Sequence, residues 1–254
     1  MPRNNELNDV EIKQKKIALR LAAFFACLLL INFVLISLIY SWADWIAILI
    51  LSLLFIVPGY ISNAGMVITG KNGKPIDTGR VWRDGKRIFG DHKTWQGLIF
   101  GPLFIGIPIS IGIFAVFLVL WPGIEEIVNQ SQFVLYYNVT IFRYYFIGGI
   151  FPIGILSLIV RIILCSYGAA IGDLIGAFFK RRLNIESGAP FWVVDQLDFA
   201  IVSILFTCIP AIFLPEIFLI PDIYIIIFLI ILTPSVSVIA NAVAYMTGLK
   251  NVPW

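Results

Sequence analysis

The chain has 254 residues, of which 60% are hydrophobic and 13% charged, with a formal net charge of +3. Soluble domains carry roughly 25% charged residues, so this composition excludes one and reads as a polytopic membrane protein. Three scattered cysteines and a single histidine exclude a disulfide framework and a zinc site built on several histidines, and basic residues gathered into short clusters argue for topology and phosphate contact rather than nucleic-acid binding.

The basic tail (Arg3, Lys13, Lys15, Lys16) leads into an apolar run at 21–40. That run exceeds the ~7–15 residues of a signal-peptide core. It closes on Ser41-Trp42-Ala43-Asp44, which offers no small-x-small cleavage site. A retained helix is predicted at 18–40. About 20 apolar residues cross the hydrocarbon core, and on that rule further spans are predicted at 45–62, 97–120, 146–166, 197–215 and 223–246. The expected fold class is all-α, a polytopic transmembrane bundle of about six spans with no soluble domain attached.

Between the second and third spans lies a long polar loop, 63–96. Its segment 75–97, PIDTGRVWRDGKRIFGDHKTWQG, mixes Arg80, Arg83, Lys86, Arg87 and Lys93 with Asp77, Asp84 and Asp91. Cations of this kind neutralise phosphates, and carboxylates hold hard metal ions. Gly79, Gly85, Gly90 and Gly97 let backbone amides approach an anion. The plainer reading is a basic loop kept cytoplasmic by its charge.

The fourth span continues apolar to Phe179. From 147 to 179 is roughly 33 residues, about 50 Å as one helix against a core about 30 Å thick, so it must tilt, break or project. Gly168, Gly172 and Gly176 read as break points or as close-packing sites. Arg161, in mid-span, reads as the partner of a carboxylate in the bundle or as the mark of a break. Lys180, Arg181 and Arg182 follow. The loops at 41–45 and 215–222 hold no Lys or Arg and the stretch 121–145 only Arg143, so positive charge puts both termini, the polar loop and the 180–182 turn in the cytoplasm.

Asp173 sits in an apolar helix, where an unpaired carboxylate is expensive. Asp195 and Asp198, three residues apart, share a helix face. Mg²⁺ takes one or two carboxylates plus substrate phosphate oxygens, so these three acids read as a Mg²⁺ site with Lys180, Arg181 and Arg182 taking the remaining phosphate charge. The plainer reading is a helix cap at Asp195, helix-end anchoring by the cations and a buried hydrogen bond at Asp173.

Several composite motifs occur in one order: PGYISNAG at 58–65, the 75–97 segment, GDLIGAFFKRRLNIESGAP at 172–190, VVDQLDF at 193–199 and GLKNVPW at 248–254. They resemble the archaeal CDP-archaeol synthase family, a distant relative of the CDP-diacylglycerol synthases, over the chain from about residue 45. The departures are Gln196 where the relatives' signature has Arg, Ser187-Gly188-Ala189-Pro190 where they have His-Gly-Gly, and His92 where Gly is usual. The resemblance implies a five-helix core at 45–254 with an extra N-terminal helix within 1–44. It implies cytidylyl transfer from CTP to 2,3-di-O-geranylgeranylglyceryl phosphate, giving CDP-archaeol and pyrophosphate at the cytoplasmic edge of the cell membrane. On that reading Asp173 and Asp195, with Asp198 supporting, hold Mg²⁺, and Lys93 and Lys180 join the first two as catalytic residues. The nucleotide contacts are expected from Asp77, Arg83, Asp84, Arg87, Gly90, Asp91, Lys93, Thr94, Lys180, Arg181 and Arg182. One of Trp82, Trp95 and Trp192 would stack on cytosine or, as is commoner, anchor at the interface. The alternatives are another Mg²⁺-dependent lipid transferase, of the CDP-diacylglycerol synthase or polyprenol kinase kind, and an anion transporter. A transporter is expected to show two related halves, and none is found.

Overall fold

The computed structural model describes residues 9–185, 191 and 193–247. Its elements in chain order are α1 (Asp9–Ile39), α2 (Trp42–Gly70), α3 (Trp95–Phe100), a π turn (Gly101–Gly106), α4 (Ile107–Gln130), α5 (Val139–Ile147), α6 (Ile153–Arg182), α7 (Val194–Phe213) and α8 (Ile223–Met246). No strand occurs among the described residues beyond two isolated bridges in the polar loop. The 187–190 departure, Trp192, Lys250 and the 248–254 motif lie outside the described residues, as does Arg3.

Six helical segments are long and apolar enough to cross a membrane: Lys15–Ile39, Trp42–Gly70, Trp95–Gln130, Ile153–Arg182, Val194–Phe213 and Ile223–Met246. The bundle expected from composition is therefore observed. Three boundaries move. The second span runs on to Gly70, so the polar loop begins at residue 71 and not at 63. The third span continues through α4 to Gln130, so part of the expected 121–145 loop is helical. The fourth begins at Ile153, because residues 139–147 form the separate short helix α5, closed by Gly148 in a left-handed conformation at φ 85°.

The long fourth span does not break at its glycines. They are contact points: a Cβ at Gly168 would lie 2.8 Å from Ser203 Cα, and one at Gly172 would lie 2.5 Å from the Asp198 carbonyl oxygen. Small residues one turn apart let two helix backbones approach, and this seam draws α7 against the inner half of α6. A second close approach lies between α2 and the π turn, where a Cβ on Gly101 would meet Met66 N at 2.6 Å.

Arg161 pairs with no carboxylate among the described residues. Buried to 2% exposure, its guanidinium donates to the Tyr144 carbonyl at 2.9 Å and the Tyr145 carbonyl at 2.8 Å, with the Tyr144 ring 4.7 Å away. These carbonyls belong to the last turn of α5, the negative end of its dipole, so the cation caps a helix instead of breaking one. The same end of the bundle is tied by Asp44, which accepts from the backbone N–H groups of Val134, Leu135 and Tyr136. The polar loop, the end of α6 and the start of α7 all lie at the opposite end.

Helix α1 packs on α8 and α2. Asn32 accepts from the Trp45 indole at 3.0 Å, Tyr40 and Tyr224 share a hydrogen bond, and Lys15 lies over the Tyr245 ring. None of its residues lines the cavity at the loop end. Deletion of residues 1–40 is therefore expected to lower insertion while leaving turnover per correctly folded molecule unchanged. A folded, truncated protein that binds nucleotide normally yet fails to turn over lipid phosphate would assign α1 to the lipid path instead.

Candidate active site

The polar loop is organised around Asp77. Its buried carboxylate accepts from the N–H groups of Gly79 (3.1 Å), Phe89 (3.0 Å) and Gly90 (2.9 Å) and from the Arg87 guanidinium (2.9 Å). Burial pushes its pKa up, but the Arg87 bond and the three backbone donors outweigh this and hold the carboxyl well below the usual carboxylate range. Arg87 is in turn held at 2.5 Å by Asp91. Residues 80–88 form a small hairpin: Trp82 donates to the Lys86 carbonyl, Ile88 to that of Arg80, and Gly85, at φ 75°, closes the turn. A left-handed residue in so tight a turn is where glycine is favoured. At the loop base, Ile76 donates to the Lys93 carbonyl and Trp95 to that of Lys74. Thr94 then caps α3 by accepting from Gly97 N.

This frame delivers Lys93 to the bundle. Its ammonium lies 2.5 Å from Asp173 Oδ1, in mid-α6. About two turns further along α6, Lys180 lies 2.9 Å from Asp195 Oδ2 in the first turn of α7, and Phe191 N donates to the same oxygen. Both pairs open on one cavity of about 200 Å³, lined by Phe89, Gly90, His92, Lys93, Asp173, Ala177, Lys180, Arg181, Asp195 and Asp198. A much smaller one adjoins it, about 20 Å³, lined by His92, Lys93, Thr94 and Asp173 with apolar Met66, Leu98 and Leu174 among its walls.

Asp198 is admitted only because residue 176 is glycine: a Cβ there would lie 1.7 Å from Asp198 Oδ2. It makes no ion pair among the described residues. Gly176→Ala is accordingly expected to displace this carboxylate, costing roughly 1–3 kcal/mol of stability by overpacking and lowering activity more than Gly168→Ala does. Equal activity in the two variants would detach Asp198 from the site.

Of the residues anticipated at the site, Gly90, Lys93, Asp173, Lys180, Arg181, Asp195 and Asp198 share the main cavity, and Thr94 borders the small one. The others do not line either. Asp77, Arg87 and Asp91 bind one another and build the loop. Arg83 stands exposed at the hairpin turn. Asp84 pairs with Arg182 at 2.7 Å. Trp82 packs edge-on against Phe178 with ring centroids 5.6 Å apart, and is engaged there. His92 was not among the expected site residues, although it lines both cavities; its place directly before Lys93 in the same turn was the available signal.

The three acids facing the main cavity offer carboxylate oxygen, which suits Mg²⁺ rather than a softer ion, beside the one imidazole of His92. Among the described residues no three such groups converge as a ready-made metal cluster. Two of the acids carry lysine partners and Asp198 carries none, an arrangement that fits an ion completed by phosphate oxygens and not one caged by protein.

A family model described as CarS-like, CDP-archaeol synthase, matches residues 45–254. The CDP-archaeol synthase of Thermococcus onnurineus is 36% identical over 213 residues, 84% of this chain and 96% of that protein. That of Methanococcus aeolicus is 36% identical over 80% of this chain and 95% of its own, and that of Methanosarcina barkeri 35% identical over 78% and 99%. The solved structure of an intramembrane enzyme for archaeal membrane lipid biosynthesis superposes with a TM-score of 0.45 and 22% identity, covering 78% of this chain and 92% of that one. With the family model spanning the bundle from α2 onward and relatives above 30% identity matched along nearly their whole length, the chain belongs to the CDP-archaeol synthase family.

Proposed function

We propose that the 200 Å³ cavity is where this family member moves the cytidylyl group of CTP onto 2,3-di-O-geranylgeranylglyceryl phosphate. The observation that carries the reading is the meeting, in one recess at the loop end of the bundle, of three carboxylates from α6 and α7 with the cations Lys93, Lys180 and Arg181. A lipid phosphate monoester has a second pKa of about 6. It is therefore largely dianionic at neutral pH and needs no strong general base. Its oxygen attacks the α-phosphorus of CTP, the bond from that phosphorus to the α–β bridging oxygen breaks, and pyrophosphate leaves. Such a reaction asks the protein for positioning and for neutralisation of charge on the entering and leaving groups.

The chain's own groups divide this work. Asp173 orients the Lys93 ammonium and Asp195 that of Lys180, so both remain aimed into the cavity, ready to meet phosphate oxygens. Arg181, whose buried Nε has no hydrogen-bond partner, adds a guanidinium suited to bidentate phosphate contact. Asp173 and Asp195, with Asp198 beside them, would hold Mg²⁺ together with phosphate oxygens; when bound, the ion neutralises charge on the triphosphate.

The loop end is assigned to the cytoplasm of the cell, where CTP is made, on the strength of its clustered cations. An impermeant thiol reagent should reach Lys74→Cys and Arg182→Cys from that face only; labelling from opposite faces would end the shared-site reading. For the reaction itself, purified protein given Mg²⁺, CTP labelled at its α-phosphorus and the ether-lipid phosphate should transfer label to lipid with one pyrophosphate released per lipid. Transfer of the γ-phosphorus would instead make the chain a lipid kinase.

A further inference from the structure

The three cations at the end of α6 have three different destinations. Successive residues on an α-helix are turned by about 100°, so Lys180 reaches Asp195 on α7 and Arg181 faces the cavity. Arg182 reaches away from both, onto the polar loop. Its Nε lies 2.7 Å from Asp84 Oδ2, and its Nη2 donates to the carbonyls of Lys86 (3.3 Å) and Arg87 (2.5 Å). The guanidinium stacks on the Phe178 ring at 4.5 Å, and Phe178 is itself packed by Trp82 from the hairpin. The contact is reciprocal, since Lys86 Nζ donates to the Arg182 carbonyl at 2.8 Å. None of Asp84, Lys86 and Arg182 lines the cavity.

We propose that Arg182 and Asp84 are positioning residues, a clasp that fixes the 80–88 hairpin to the end of α6 and thereby sets the loop wall of the CTP site. The Ile76–Lys93 and Trp95–Lys74 bonds close the base of the polar loop, Thr94 and Lys93 hold that base to Gly70 and Asp173, and this clasp joins the hairpin tip to the end of α6. The path from clasp to cavity is short. Arg87, whose carbonyl Arg182 holds, carries Asp77 and Asp91 on its guanidinium. Asp77 receives the N–H groups of Phe89 and Gly90, which are themselves cavity wall, and Lys93 follows three residues on. Lysine would keep the charge against Asp84 but not the planar group that donates to two carbonyls while stacked on Phe178.

The inference rests on the reading of the cavity as the CTP site, and a double-mutant cycle separates the two. Asp84→Asn should raise the KM for CTP about three-fold and Arg182→Gln, which also gives up the two carbonyl bonds, about ten-fold, and the double variant should cost no more than Arg182→Gln alone. Arg182→Lys should fall between wild type and Arg182→Gln. Trypsin should cut within 80–87 faster than in the wild type in each single variant, and in the double no faster than in Arg182→Gln. The clasp is overturned if the costs of the singles multiply, if Asp84→Asn is silent while Arg182→Gln loses CTP affinity as Arg181→Gln does, or if the hairpin is cut no faster. Should Arg181→Gln leave the KM for CTP unchanged while the trypsin results hold, the CTP site is misplaced and the clasp stands.

Discussion

Asp173→Asn and Asp195→Asn are each expected to lower turnover by about a hundred-fold or more, the scale seen when one element of charge stabilisation is removed from a preorganised site, while the protein still inserts and folds. Each substitution removes a carboxylate charge from the cavity and frees a lysine that the acid now aims, Lys93 in one case and Lys180 in the other. The two effects act on the same phosphates, so the double variant should be little worse than either single one. Isothermal titration of Mg²⁺ with and without CTP supplies a readout independent of catalysis: both variants should lose the nucleotide-dependent component of binding. Either variant turning over at the wild-type rate with unchanged Mg²⁺ dependence would remove that acid from the site.

Asp77→Asn is expected to have the next largest effect, although Asp77 touches no cavity. Its carboxylate accepts four hydrogen bonds, one of them from Arg87; bonds to a charged group contribute roughly 1.5–3 kcal/mol each at most, and an amide offers one accepting oxygen in place of two. The loop should loosen, exposing the amides of Phe89 and Gly90 to hydrogen exchange and raising the KM for CTP more than the lipid KM. The pH dependence has a definite sign. Because the folded pKa is depressed, the stabilisation is fully present above the ordinary aspartate pKa of about 4 and is lost only as pH falls through the lowered folded value. Protection at Phe89 and Gly90, taken relative to the intrinsic exchange rate at each pH, should therefore stay high down to about pH 4 in the wild type and be low throughout this range in Asp77→Asn. Slow exchange in both would show that the loop does not depend on Asp77.

The spans and the two polar regions were legible because each rests on a strong local signal, a run of apolar residues near 20 or a block of cations beside an apolar helix. The gathering of Asp173, Asp195 and Asp198 beside Lys180 followed from a costly carboxylate in an apolar helix and two more on one helix face; the pairing of Lys180 with Asp195 did not. What sequence did not carry was the division of labour within a mixed-charge segment. In 75–97 every cation looked able to bind phosphate, yet Arg87 is consumed by Asp77 and Asp91, a choice made by how the hairpin turns and not by residue type. Likewise the triplet 180–182 reads as one basic cluster until the helical rotation sends its members three ways. Arg161 was assigned to a carboxylate or a break because a charge in mid-span demands compensation; the end of α5, a helix too short to stand out, supplies carbonyls instead. The glycines of α6 were ambiguous between break and contact, and only the position of α7 decides.

The central claim, that CTP occupies the cavity between the polar loop, α6 and α7, is tested most directly by nucleotide protection. In a Cys27→Ser background, cysteines are placed one at a time at His92, which lines both cavities, and at Arg83, which lies exposed outside them. Saturating CTP with Mg²⁺ should shield the cysteine at 92 from an aqueous thiol reagent and leave the one at 83 fully reactive. Equal reactivity at 92 with and without CTP, or shielding at 83, would contradict the account.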